Sequence, residues 1–342
     1  MPPTSPPTQI FLLAIRRFAE TASAAAVEQA LAAANDAAAS VPLDSLETLE
    51  RHIRFELGLA MPATHRLWSR TRPARHLSWL DLCNADGHVR ERTLRCLLAA
   101  PNALALAFAL RRLNDWVPEV RAAAREHLPR IARASTPSHV AQALWAVLAN
   151  LASWGRIEAS ERQTLDELIA MESVALALLQ RIREATAGPA ASILVQITRT
   201  AIFDPWLQTI SQDAIQPAVR ARALRFLLEG RATWFAGRAW TWTDLKWCKG
   251  KFEPVTGERP LLVNYALQEL LESALRDPSP AVRRVAAEIL IRQISSIDAP
   301  AGALAAKLAA DPSAAIAERG RFALARLAEA EHNAASQQTR AL

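Results

Sequence analysis

One short pattern recurs along this chain, and it is helical. The segments are Asn84-Ala-Asp-Gly-His-Val-Arg90, Asp115-Trp-Val-Pro-Glu-Val-Arg121, Ala214-Ile-Gln-Pro-Ala-Val-Arg220, Asp277-Pro-Ser-Pro-Ala-Val-Arg283 and Asp311-Pro-Ser-Ala-Ala-Ile-Ala317. Relative to the last residue of each, Val or Ile stands one place before: Val89, Val120, Val219, Val282 and Ile316. A small residue stands three places after (Thr93, Ala124, Ala223, Ala286, Gly320), and leucine seven places after (Leu97, Leu128, Leu227, Leu290, Leu324). Those positions are four apart, so they share one helical face. The small residue in the middle lets a neighbouring helix approach closely.

The lead-in is equally consistent. Pro118, Pro217 and Pro280 stand three places before the reference, where a first helical turn tolerates a missing N–H. Asp or Asn six places before it suits a turn. The reference positions 90, 121, 220, 283 and 317 are spaced 31, 99, 63 and 34 residues apart. The two long gaps are about three and two times the short ones, as degenerate units would leave them. In the first gap Ser160-Glu-Arg-Gln163 reads as a capping box, and Gly188-Pro189 breaks the chain before the apolar run 190–202.

These residues resemble HEAT repeats, especially the short bacterial kind and the phycobilisome-lyase type, over roughly residues 80–330. The period is shorter than the ~40–47 residues of longer HEAT units. The resemblance implies an all-α, HEAT-like α-solenoid, a right-handed superhelix of helix pairs, with one Trp-rich non-helical insertion. It also implies that Arg90, Arg121, Arg220 and Arg283 pair with Asp of successive units as a structural ladder, broken at Ala317. The expected organisation is a disordered tail over 1–8, an irregular helical cap over 9–80, and repeats over 81–330 with an insertion at 231–260. A polar tail follows over 331–342. In the cap, Asp44-Ser-Leu-Glu47 opens a helix and Gly58 closes it.

Composition agrees with helix: 51% of residues are hydrophobic, yet only 10 are Gly. The net charge of +6 comes from 40 basic and 34 acidic residues, and 36 of the basic ones are Arg. Such a bias is weak evidence for a polyanionic partner. Cys83, Cys96 and Cys248 form no C-x-x-C pair, which points to a reducing cytoplasm. The apolar run 10–15 is cut by Arg16 and Arg17, far short of a membrane span. No membrane association and no cofactor are expected.

Repeat periodicity fails between Arg220 and Arg283. Four of the ten Trp lie there (Trp234, Trp240, Trp242, Trp247) with three of the four Lys. Residues 220–251 hold eight basic and two acidic residues, a local +6. Alternation through Trp240-Thr241-Trp242-Thr243, with Lys249-Gly250-Lys251 as turn, predicts an extended loop or small hairpin. Three readings fit: the tryptophans fold back and plug a groove, the segment binds protein, or its cations and rings hold nucleic acid. A second basic-aromatic stretch runs from His65 through Trp68, Arg70 and Arg72 to His76.

No P-loop, G-x-G-x-x-G, G-x-S-x-G or H-E-x-x-H arrangement occurs, and Glu329-x-x-His332 stands alone. No catalytic or metal-ligating set is expected. The reading is therefore a non-enzymatic scaffold that binds a protein partner through its concave face and the insertion. The expected binding residues are Trp234, Arg238, Trp240, Trp242, Lys246, Trp247, Lys249 and Lys251. The alternative is a nucleic-acid-binding solenoid. One HEAT-like enzyme class, the alkylpurine DNA glycosylases, surrounds its damaged nucleotide with Trp, Asp and Arg. Asp115, Trp116, Arg121 and Trp145 resemble that set superficially.

Overall fold

A computed structural model describes residues 5–21, 24–59, 77–294 and 300–341 of the chain. Sixteen α-helices and one two-stranded sheet make up its regular structure among those residues. The stretch His65 to His76 lies outside the described residues. The chain divides into two compact units between Leu178 and Leu179, so the array expected over 81–330 is shared between them.

The first unit opens with α1 (Pro6–Glu20), α2 (Ala24–Ala38) and α3 (Leu46–Leu59), with α1 packed on both others. Helix begins at Pro6, so residues 6–8 are not the disordered tail expected; two prolines at the helix start cost no hydrogen bond. Gly58 lies inside the last turn of α3 and does not end it. A 3₁₀ turn at Trp79–Cys83 closes this region: Trp79 stacks on Phe11 at 6.1 Å and donates its indole N–H to Asn35 at 2.6 Å.

Next come α4 (Gly87–Cys96), α5 (Ala103–Arg111), α6 (Pro118–Arg133), α7 (Pro137–Ala149) and α8 (Ala159–Ile169). They pack as alternate members: α4 on α6, α6 on α8, and α5 on α7. The capping box of α8 is Glu158 with Glu161, not Ser160 with Gln163. Glu161 is buried against Arg125, which fixes the helix start two residues earlier than the Ser-led motif predicts. Helix α9 (Glu172–Glu184) carries the division between the units.

The second unit contains α10 (Ala190–Ile197), α11 (Leu207–Asp213) and α12 (Pro217–Glu229), then β1 (Arg231–Asp244) and β2 (Lys249–Pro260). It continues with α13 (Leu267–Leu275), α14 (Pro280–Arg292), α15 (Pro300–Ala309) and α16 (Ala314–Ala341). The same alternation holds: α10 on α12, α12 on α14, α14 on α16, and α13 on α15. The polar residues 331–341 extend α16 without a break.

The recurring residues explain this packing. Pro118, Pro217 and Pro280 each open their helix. Val120, Val219 and Val282 are buried, as are Ala124, Ala223 and Ala286. Where the small position is Gly320, a Cβ would run into the backbone of Leu308 and Ala309.

The Arg and Asp positions form a repeated joint. Arg90 grips Asp115 through Nε and Nη2 at 2.9 and 2.7 Å. Arg220 does the same to Asp277 (2.8 and 2.9 Å), and Arg283 to Asp311 (2.7 and 3.0 Å). Each Arg also donates Nη1 to the carbonyl six residues before it: Asn84, Ala214 and Asp277. Each Asp in turn accepts the N–H two residues on, from Val117, Ser279 and Ser313. One carboxylate thus orders its own turn and holds the helix two back, the one on which its own helix packs. Arg121 is the exception: Glu161 stands 3.9 Å away, held instead by Arg125.

Candidate functional site

The hairpin follows α12 directly. Gly230 ends that helix in the left-handed region (φ +64°), where glycine carries no Cβ penalty, and the chain turns into β1. The strands pair antiparallel from Arg231–Pro260 to Asp244–Lys249, with irregularities at Phe235/Gly237 and Trp242/Asp244. The turn is Leu245–Cys248, where Asp244 accepts the Trp247 N–H at 3.1 Å and Cys248 takes φ +48°. Lys249-Gly250-Lys251, expected as the turn, instead begins β2.

The base is locked to the helices. Arg259 places Nη1 and Nη2 on Asp204 at 2.9 and 2.5 Å, Nε on the Thr198 carbonyl (2.9 Å) and Nη2 on the Thr200 carbonyl (2.7 Å). Asp204 is fully buried and also accepts the Leu262 N–H at 2.8 Å. Trp234 lies under the Arg199 guanidinium, 4.7 Å from its ring centre, with Gly257 making room for the indole. Of the four tryptophans, Trp234 is the one that folds back onto the helices.

Register and alternation sort the remaining side chains onto two faces. One carries Phe235, Arg238, Trp240 and Trp242 from β1, and Phe252 from β2. Trp240 is central: Trp242 meets it edge-on at 5.5 Å and Phe252 at 5.0 Å. Gly250 leaves room for its indole, since a Cβ there would come within 2.5 Å of the ring. These rings do not plug anything: Phe235, Trp240, Trp242 and Phe252 are 57, 43, 52 and 62% exposed. The other face is polar. Lys251 pairs with Glu253 at 2.9 Å, and Lys251 and Thr241 together hold the Glu253 carboxyl below the ordinary carboxylate range. At the tip, Lys246 sits 5.7 Å over the Trp247 ring, and Trp247 is 66% exposed.

The local charge is smaller than the sequence count implies. Of the eight basic residues in 220–251, Arg220 pairs with Asp277, Arg225 with Glu288, Arg231 with Glu258 and Lys251 with Glu253. Arg238 is the one charged residue on the aromatic face without an ion pair among the described residues. The expected set thus separates. Trp240, Trp242 and Arg238 share the aromatic face, Lys246, Trp247 and Lys249 cluster at the tip, Lys251 belongs to the polar face, and Trp234 is part of the base. Phe252 and Phe235 were absent from the expected set; only the strand register reveals that they join it.

The glycosylase-like residues are not assembled as a set. Asp115 is 5% exposed, with both oxygens spent on Arg90, Arg112 and the Val117 N–H. Arg121 lies on α6 and donates to the Asp115 carbonyl, and Trp145 lies half-buried on α7. Among the described residues no group of three metal-ligating side chains occurs, and no helix is long and apolar enough to cross a membrane. Cys83 is fully buried, and burial pushes its thiol far above the ordinary range, against any nucleophilic role.

No family model, curated protein or solved structure matches the chain.

Proposed function

We propose that the chain is a non-enzymatic, cytoplasmic scaffold of the HEAT-like solenoid type, and that it holds a protein partner on the aromatic face of its hairpin. The Arg–Asp joint, made once in the first unit and twice in the second, supports the repeat reading, because it couples alternate helices through identical atoms. The observation that carries the binding reading is the Trp240–Trp242–Phe252 cluster, solvent-exposed on a strand pair whose base is fixed.

Four aromatic side chains of ~150–250 Å² each, about half exposed, present roughly 400 Å² of apolar surface, the size at which patches on monomers are functional. Trp and Arg are the residues that dominate binding energetics at protein interfaces. The complementary partner is an extended segment with apolar side chains and an acidic residue opposite Arg238. Nucleic acid is the less favoured occupant, because carboxylates already neutralise half of the basic residues that suggested it.

Selection of displayed peptides on the purified protein tests this. The selected peptides should combine apolar residues with Asp or Glu. Trp240→Ala with Trp242→Ala should weaken them by about 30-fold or more, as loss of a hot spot of at least ~2 kcal/mol implies. The thermal midpoint should stay near wild type, since both rings are about half in water. Peptides that bind the double variant unchanged would refute the proposal, as would tight, salt-sensitive binding of single-stranded oligonucleotides with no peptide binding.

A further inference from the structure

Far from the hairpin in sequence, the first unit contains a cavity of about 750 Å³ between α3, the turn after α5, and the segment joining α7 to α8. Its floor is an ion network. Glu50 accepts from Arg54 Nη2 at 3.1 Å, Arg111 Nε at 3.2 Å and Arg112 Nη2 at 2.8 Å. Arg112 Nη1 reaches on to Asp115 at 2.9 Å, the carboxylate that Arg90 grips with two bonds. Four guanidiniums therefore share two carboxylates, leaving two positive charges over.

Titration leaves the surplus at two: the carboxyls stay ionised and Arg112 stays protonated. Burial would raise the Glu50 pKa, but the charges of Arg112 and Arg111 bring it below the ordinary range. Asp115 behaves likewise, with Arg90 and Arg112 outweighing its burial. Arg112 is desolvated, yet Glu50 and Asp115 hold it firmly protonated. The rest of the charged lining is balanced, Arg51 and Arg156 against Asp44 and Glu47. Arg90 and Arg112 are almost wholly shielded from water, whereas Arg111 and Arg54 are 23 and 44% exposed, so the surplus is carried at the cavity wall, where a counter-charge can meet it.

The donors for such a counter-charge line the cavity. Among the described residues Arg111 spends only Nε, leaving both terminal nitrogens uncommitted, and Arg54 keeps Nη1 uncommitted after bonding Glu50 and the Cys83 carbonyl. The Arg156 guanidinium has no partner among the described residues, while its backbone N–H is pinned to Asn114 at 2.9 Å. Trp116 lines the same cavity and is 68% exposed. The volume falls within the ~300–1,000 Å³ typical of small-molecule sites and exceeds what a bare oxyanion needs.

We infer that this cavity binds a small phosphate monoester carrying a planar ring, its dianion on Arg54, Arg111 and Arg156 and its ring against Trp116. Guanidinium forks match phosphate oxygens in geometry as well as charge. A double negative charge cancels the surplus of two.

Calorimetric titration at low salt with phenyl phosphate, inorganic phosphate and phenol tests the site on the full chain. Phenyl phosphate should bind, inorganic phosphate more weakly, and phenol not at all. Arg111→Gln and Arg156→Gln should each weaken phenyl phosphate by about tenfold, the loss expected of one charge-assisted hydrogen bond. Trp116→Ala should bring it to the level of inorganic phosphate. Affinity should fall between pH 7.5 and 5.5, because a phosphate monoester loses its second charge near pH ~6, whereas a dicarboxylate would keep both of its charges. Arg156 is exposed, so its variant remains informative even if Arg111→Gln disturbs folding. No binding of phenyl phosphate at millimolar concentration, binding indifferent to both Arg substitutions, or binding of a phosphodiester oligonucleotide in its place would overturn the assignment.

Discussion

Arg259→Ala should be the most damaging single change at the hairpin, and its cost can be worked from the contacts. The side chain donates to four groups of the 198–204 segment: the carbonyls of Thr198, Arg199 and Thr200 and the carboxylate of Asp204. Asp204 is 0% exposed and its partner's side chain 17%, so the pair lies away from bulk water. Removing one partner of such a pair leaves the other charge buried and uncompensated, which costs about 3–5 kcal/mol. In a unit of this size each kcal/mol moves the thermal midpoint by about 2–4 °C, so a fall of roughly 10 °C is expected. Calorimetry with hydrogen exchange would locate the loss in the 198–204 segment and the hairpin base. Arg259→Leu combined with Asp204→Leu should recover part of it, because no charge is then stranded, although the three carbonyls and the Leu262 N–H still lose their partners. A single variant within ~1 kcal/mol of wild type, or a double variant as unstable as the sum of the singles, would refute the argument that Arg259 anchors the strands through a buried charge.

Two further outcomes concern the repeats. Gly320→Ala should destabilise by about 1–3 kcal/mol, the usual cost of forcing atoms into a packed contact, because the new Cβ meets the fixed backbone of Leu308 and Ala309; an unchanged melting curve would deny the close approach of α15 and α16. Asp311 has its pKa lowered chiefly by the hydrogen bonds from Arg283, so its stabilisation is present above the ordinary carboxylate range near pH ~4 and is lost as pH falls below it. The stability gap between wild type and Arg283→Gln should therefore narrow from pH 6 to pH 2.5, and a constant gap would sink the assignment.

The helices were legible because their signals are local. Proline at the first turn, a valine one residue before the reference and a small residue three after it specify a helix start and one packed face without knowledge of any neighbour. The Arg–Asp joint was legible only with the help of resemblance, since Arg220 and Asp277 are separated by a whole hairpin that spacing alone cannot see past. Where the local motif failed, a distant partner had overridden it: Glu161 starts α8 early because Arg125 claims it from α6, two helices back. The division at Leu178/Leu179 left no mark in composition, for α9 crosses it as an unbroken amphipathic helix.

The same distinction governs the two candidate sites. Trp240 and Trp242 stood out in the sequence because tryptophan is rare and the alternation visible, but Phe252 joins them through a register that depends on where the turn falls. Charge counting misled for a related reason. A window of sequence tallies Arg220, Arg225 and Arg231 as free cations, whereas Asp277, Glu288 and Glu258, all outside that window, neutralise them in space. At the cavity the error runs in the opposite direction. Glu50, Arg54, Arg111 and Arg112 look like ordinary surface charges of two separate helices, and their surplus becomes evident only when α3 is laid against the end of α5. Net charge along a chain thus says little about where a ligand goes. What attracts a counter-charge is a local imbalance that folding assembles in space, and in this protein the clearest such imbalance lies in the first unit, at the cavity that Trp116 helps to line.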